Sequence, residues 1–190
     1  MAGPDELVRL SARLSRDLTE RRIRHAVSGG AAMAAHGLVG ASDRIEIRVV
    51  VSALRLPETF DLVRAHGFAG DDRELIDAIR DRAVATLRGA PYELELRLPV
   101  LPYDRTVVDR AQTIELNGVG VPIVALEDLI VIEALWGRDA VAGARDLVEA
   151  GGPRLDRAYV TATLASILPE DDARHAELRD LFARFGDGRS

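Results

Sequence analysis

Residues Arg44 to Val51 read Arg-Ile-Glu-Ile-Arg-Val-Val-Val, an alternation of charged and β-branched side chains that constrains the fold more than any other stretch. A period of two puts Arg44, Glu46 and Arg48 on one face of a strand and Ile45, Ile47 and Val49 on the other. The pattern returns at Tyr92 to Leu98, with Glu93, Glu95 and Arg97 on one face and Leu94, Leu96 and Leu98 on the other. An Arg-Glu-Arg face and a Glu-Glu-Arg face suit neighbouring strands joined by cross-strand ion pairs.

The remaining segments alternate helix and strand. Leu7, Leu10, Leu14 and Leu18 fall at helical spacing, with Pro4 suited to a first turn. Ile23 to Val27 reads as a short strand, Ser28-Gly29-Gly30 as a sharp turn, and Ala31 to Leu38 as a small-residue helix. Helices are expected over Glu58 to His66, stopped by Gly67, and over Asp72 to Leu87, stopped by Gly89. Thr113 to Leu116 and Val121 to Val124 form a hairpin around Asn117-Gly118. From Leu126 the chain is helical, with breaks at Gly137, Gly151-Gly152-Pro153 and Leu168-Pro169. The expected organisation is an α/β core over residues 1–125 and a helical segment over 126–190 packed on it as a single structural domain. With 190 residues and 47% apolar content, one substantial core is within reach.

Charge and composition narrow the function. The 31 acidic and 25 basic residues leave a net charge of -6, so no extended nucleic-acid surface is expected. The absence of cysteine excludes disulfides, thiolate zinc and a cysteine nucleophile, and fits a reducing compartment. No membrane span or signal peptide is legible, so a cytoplasmic location is expected. The preference for Arg over Lys and the abundance of Ala, Val and Leu suit a GC-rich bacterial genome.

The run Ser28-Gly29-Gly30-Ala31-Ala32-Met33-Ala34-Ala35-His36-Gly37, followed by the alternating strands and then by Val121-Pro122-Ile123-Val124-Ala125-Leu126-Glu127-Asp128-Leu129-Ile130, resembles the nucleotidyltransferase superfamily. The likeness is to its small bacterial members, the AbiEii-like or minimal type, over roughly residues 5 to 150. It implies a nucleotidyltransferase-like fold, a small mixed β-sheet flanked by helices with a C-terminal helical segment. It also implies roles. Ser28, Gly29, Gly30 and Arg138 would bind the nucleotide, since glycines let backbone N–H groups approach phosphates at a helix start. Glu46, Glu93 and Glu95 would be the catalytic carboxylates, with Glu46 and Glu95 holding Mg2+ against phosphate oxygens.

Two positions depart from the family pattern. Arg44 stands where the first metal-binding Asp would be, and Glu133 stands at the usual Lys of the helix Leu126 to Trp136. Together they look like a reciprocal charge reversal and are expected to form an internal ion pair. The alternative for Glu46, Glu93 and Glu95 is an ion-pair ladder with Arg44, Arg48 and Arg97. His36 reads as a helix-end residue, Arg145 and Asp146 as helix charges, and Trp136 as a core or interface anchor. Two functions stay open. One is transfer of a nucleotidyl group from an NTP to a protein, RNA or small-molecule hydroxyl. The other is an inactive member of the fold, acting as a nucleotide sensor or as a partner-binding module of a toxin-antitoxin or defence type.

Overall fold

The computed structural model describes residues 4–38, 43–136 and 143–185. Two compact units divide the chain, one within Met1–Ala35 and Val39–Val124, the other within His36–Leu38 and Ala125–Ser190. The first unit runs α1 (Pro4–Glu20), β1 (Arg24–Ser28), α2 (Gly29–Ala35), β2 (Arg44–Val50), α3 (Leu56–Arg64), α4 (Asp72–Arg82), β3 (Val84–Arg88), β4 (Glu93–Arg97), α5 (Pro102–Asp109), β5 (Gln112–Leu116) and β6 (Val119–Ile123).

Its strands form a mixed six-stranded sheet in the order β3-β4-β2-β1-β6-β5. The pairs β2–β4 and β1–β6 are parallel, and the other three are antiparallel. Alternation sorts the sheet into two faces. Ile45, Ile47, Val49, Leu94 and Leu96 are fully buried, and each aliphatic side chain so buried contributes roughly 1.5–3 kcal/mol. Helix α1 adds Leu7, Leu14 and Leu18 to this core and packs on β1 and β6.

One local expectation is corrected, and one unassigned segment gains a structure. Helix α4 stops at Arg82 instead of continuing to Leu87, because Ala83 turns left-handed at φ 56° and its N–H closes on the Ile79 carbonyl. Residues Val84–Arg88 then form β3, placing Ala85 and Leu87 beside Leu96 and Leu94. The β-branched Val84 and Thr86 carry the strand preference that a stop at Gly89 obscured. The segment before β5, unassigned from the sequence, is helix α5. Pro102 suits its first turn, and Asp104 Oδ2 accepts the N–H groups of Val100 and Leu101 at 2.9 and 2.8 Å. The hairpin loop is the tight two-residue form, with Asn117 and Gly118 at φ 51° and 77°.

The second unit holds α6 (Leu126–Trp136), α7 (Arg145–Gly151), α8 (Arg157–Ile167) and α9 (Ala173–Phe185). Asp128 of α6 is fully buried and accepts a 2.6 Å hydrogen bond from the Tyr159 hydroxyl of α8. Arg174, held by Asp172 at 2.7 Å, donates to the Ala134 and Leu135 carbonyls at 3.5 and 3.4 Å and so caps the end of α6. Trp136 is 52% exposed and is not a core residue. The expected break at Gly137 lies outside the described residues.

Behind the sheet, His25 of β1 is buried against α1. Its Nδ1 donates to the Ile23 carbonyl at 2.9 Å, leaving Nε2 to accept the Ser15 hydroxyl at 2.7 Å. Burial holds the imidazole below its ordinary value of 6.5, against the opposing pull of the Ile23 carbonyl. The folded state therefore keeps His25 neutral while the unfolded chain takes up the proton first. Its contribution to stability is complete above 6.5 and is lost as pH falls toward the depressed folded value. Urea unfolding between about pH 8 and about pH 5 should show this loss, and the profile of His25→Gln should be flatter.

Candidate functional site

The polar face of the sheet is set by register. In the parallel β2–β4 pair, Arg44 lies beside Glu93, Glu46 beside Glu95, and Arg48 beside Arg97. Only the first of these rows brings opposite charges together; like charges directly side by side are unfavourable. The structure resolves this diagonally. Arg44 reaches Glu95 Oε1 at 2.5 Å and Glu93 at 3.5 Å. Arg97 reaches the other oxygen of Glu95 at 2.6 Å, and its Nε lies 3.2 Å from Glu46 without hydrogen-bonding geometry. Glu95, with 8% of its side chain exposed, is thus clasped by guanidinium groups on both oxygens.

Arg48 leaves the row altogether. It is 8% exposed and donates to Asp104 Oδ1 of α5 at 2.9 Å. Burial lowers the pKa of its guanidinium, and Asp104 opposes that shift. Breaking a buried pair of this kind by removing one partner costs about 3–5 kcal/mol. Asp104 is a site residue that sequence reasoning missed. Its signal was the Pro102-Tyr103-Asp104 helix start, which went unread because no helix was assigned there. Thr86 of β3, in register with Glu95, borders the same face and lies in the stretch that the sequence suggests as the end of a longer helix.

At the open end of this face β1 runs into α2. Ser28 is in register with Glu46; the residue is 2% exposed, and its hydroxyl has no hydrogen-bond partner among the described residues. Gly29 follows at φ 61°, and a Cβ there would lie 2.6 Å from Glu46 Oε1. The glycine thus meets two demands, a left-handed turn and clearance for a carboxylate. Gly30 is buried in the first turn of α2.

Ser28, Gly29, Gly30, Glu46, Glu93, Glu95 and Arg44 therefore belong to one surface of the first unit. Other candidates lie elsewhere. Arg138 is outside the described residues. Glu133 is on α6 in the second unit, with a carboxylate oxygen 2.9 Å from where a Cβ on Gly143 would be. His36 follows the last residue of α2. Arg145 is exposed, pairs with Glu149 at 2.8 Å and lies over the Phe185 ring at 4.5 Å.

The carboxylates do not fit a divalent cation as they stand. Glu95 has both oxygens engaged by guanidinium groups, and Arg97 lies against Glu46. Mg2+ requires near-octahedral oxygen ligation and gives up water reluctantly. Among the described residues no group of three or more His, Cys, Asp or Glu is arranged to hold a metal.

The clearance at Gly29 is testable. Gly29→Ala should lower stability by about 1–3 kcal/mol, chiefly through the positive φ, with a smaller part from displacing the Glu46 carboxylate. In a Glu46→Ala background the clash disappears and only the backbone cost remains, so the penalty measured by urea unfolding should shrink.

No family model matches the sequence, and no curated protein matches it at a significant level. Solved structures are similar over nearly the whole chain. The antibiotic-resistance factor ANT(2'')-Ia in solution superposes with a TM-score of 0.56 at 15% identity, covering 93% of this chain and 97% of that one. A nucleotidyltransferase-like antigenic protein from Paracoccidioides brasiliensis gives 0.55 at 16% identity, covering 98% and 95%. The crystal structure of ANT(2")-Ia in complex with adenylyl-2"-tobramycin gives 0.50 at 14% identity, covering 94% and 95%. The mixed sheet, the Ser28-Gly29-Gly30 turn leading into α2 and these likenesses together establish that the chain has the nucleotidyltransferase superfamily fold.

Proposed function

We propose that this chain is a nucleotide-binding member of the nucleotidyltransferase fold that does not run metal-supported nucleotidyl transfer and works as a sensor or partner-binding module. The observation that carries this reading is the double clasp on Glu95, whose two oxygens are taken by Arg44 and Arg97. The nucleotide would lie at Ser28, Gly29 and Gly30, where the buried Ser28 hydroxyl has no hydrogen-bond partner among the described residues. An NTP is the proposed ligand, and a protein is the proposed partner.

A second reading is transfer from an NTP to a protein, RNA or small-molecule hydroxyl, with Glu46, Glu93 and Glu95 as catalytic carboxylates and Mg2+ at Glu46 and Glu95. Fold likeness to ANT(2")-Ia, seen with adenylyl-2"-tobramycin, favours it. It requires Arg44 and Arg97 to leave Glu95.

The two readings separate in one experiment. The protein is incubated with each labelled NTP, Mg2+ or Mn2+ and cell extract, and NTP binding is measured by calorimetry. Binding without label transfer is expected. Transfer that Glu46→Ala abolishes would establish the enzyme, and the absence of both binding and transfer would overturn nucleotide recognition.

A further inference from the structure

We infer that Arg44 and Arg97 are a built-in counter-cation, which holds the carboxylate face together without a metal and keeps divalent cations out of it. The inference rests on the reading of this site as one without metal chemistry and names the residues responsible. Three carboxylates, Glu46, Glu93 and Glu95, share one face across two neighbouring strands. Left to themselves they would repel one another and attract a divalent cation. Two guanidinium groups stand among them, Arg44 on Glu93 and Glu95, and Arg97 on Glu95 and Glu46, so every carboxylate has a cationic neighbour. The residual charge of the five groups is one negative unit, three carboxylates less two guanidiniums.

The competition favours the side chains for two reasons. Each guanidinium is tethered beside its carboxylate, whereas a dissolved cation must be recruited from solution. Arginine also offers a planar fork of donors that matches carboxylate oxygens, and the Arg97 contact at Glu95 is a charge-assisted hydrogen bond. Glu95 is nearly buried, so a cation approaching it would have to shed water and displace Arg44 or Arg97 first.

The roles of the two arginines differ. Arg97 lies beside Arg48, whose charge Asp104 satisfies separately, and it sits toward the half of the face where α5 packs. Arg44 is at the open end, with 38% of its side chain exposed, in register with Glu93. Arg44 is therefore the residue whose removal opens the face to a cation from solution.

The test is metal binding in the full chain without nucleotide. Mn2+ binding is followed by the loss of its free EPR signal, and thermal midpoints are recorded with millimolar Mg2+, with millimolar Mn2+, and with NaCl at matched ionic strength. The wild-type chain should leave the Mn2+ signal and the midpoint unchanged. Arg44→Gln should lower the midpoint by several degrees; Mn2+ should restore at least half of that loss and NaCl much less. Arg44→Gln with Glu95→Gln should lose the metal rescue and regain part of the midpoint without metal, a result that mere loss of packing at Arg44 would not give. If Arg44→Gln does not fold, Arg97→Gln and Arg44→Lys are read in the same way, with Arg44→Lys expected to stay blind to metal. Wild-type Mn2+ binding that raises the midpoint would overturn the inference, as would a folded Arg44→Gln that Mn2+ does not rescue. Neither result depends on whether the protein binds an NTP, so failure here is distinguishable from failure of nucleotide recognition.

Discussion

The parallel register of β2 against β4 dictates much of what surrounds it. Once Glu46 is set beside Glu95 and Arg48 beside Arg97, the face carries two rows of like charge in addition to the Arg44–Glu93 row. Every neighbouring feature relieves that arrangement. Arg44 and Arg97 reach diagonally onto Glu95, Arg48 turns to Asp104, and α5 is anchored where Asp104 can accept both a guanidinium and two backbone N–H groups. Such pairs contribute little when exposed, but near burial makes their loss costly. The apolar face imposes the register from behind, since slipping either strand by one residue would turn Ile45, Ile47, Leu94 and Leu96 out of the core.

All 25 basic residues of the chain are arginine, with no lysine. This matters for the carboxylate face, because a guanidinium presents a rigid planar fork that spans two separate acceptors, whereas an ammonium is a compact point charge. Arg44 does so between Glu93 and Glu95, and Arg97 reaches both Glu95 and Glu46.

The sequence made the alternating strands, the Ser28-Gly29-Gly30 turn, the Asn117-Gly118 hairpin and most of the C-terminal helices legible, because each follows from local periodicity or turn chemistry. The adjacency of β2 and β4 was also readable from their complementary faces. What the alternation could not supply was the offset between strands, and with it the diagonal pairing that clasps Glu95. A neighbour-by-neighbour ladder assigns Arg48 to a glutamate, whereas the structure gives it Asp104, a residue from a helix that was not recognised. Strand β3 was absorbed into α4 because the left-handed turn at Ala83 uses a residue with no preference for that conformation. The sequence suggests Ser28 and Gly29 as phosphate contacts only through their turn; their register with Glu46 emerges with the sheet.

The contact between Gly29 and Glu46 also constrains how the chain can change over evolutionary time. With Glu at position 46, its carboxylate fills the space that any side chain at position 29 would need. A shorter aspartate at 46 would vacate part of that space, while the positive φ at 29 would still favour glycine. A change at one site therefore asks the glutamate end at the other to move. Among relatives of this chain, residues other than glycine at position 29 should be rare because of the backbone, and where they occur position 46 should be smaller or its side chain turned away.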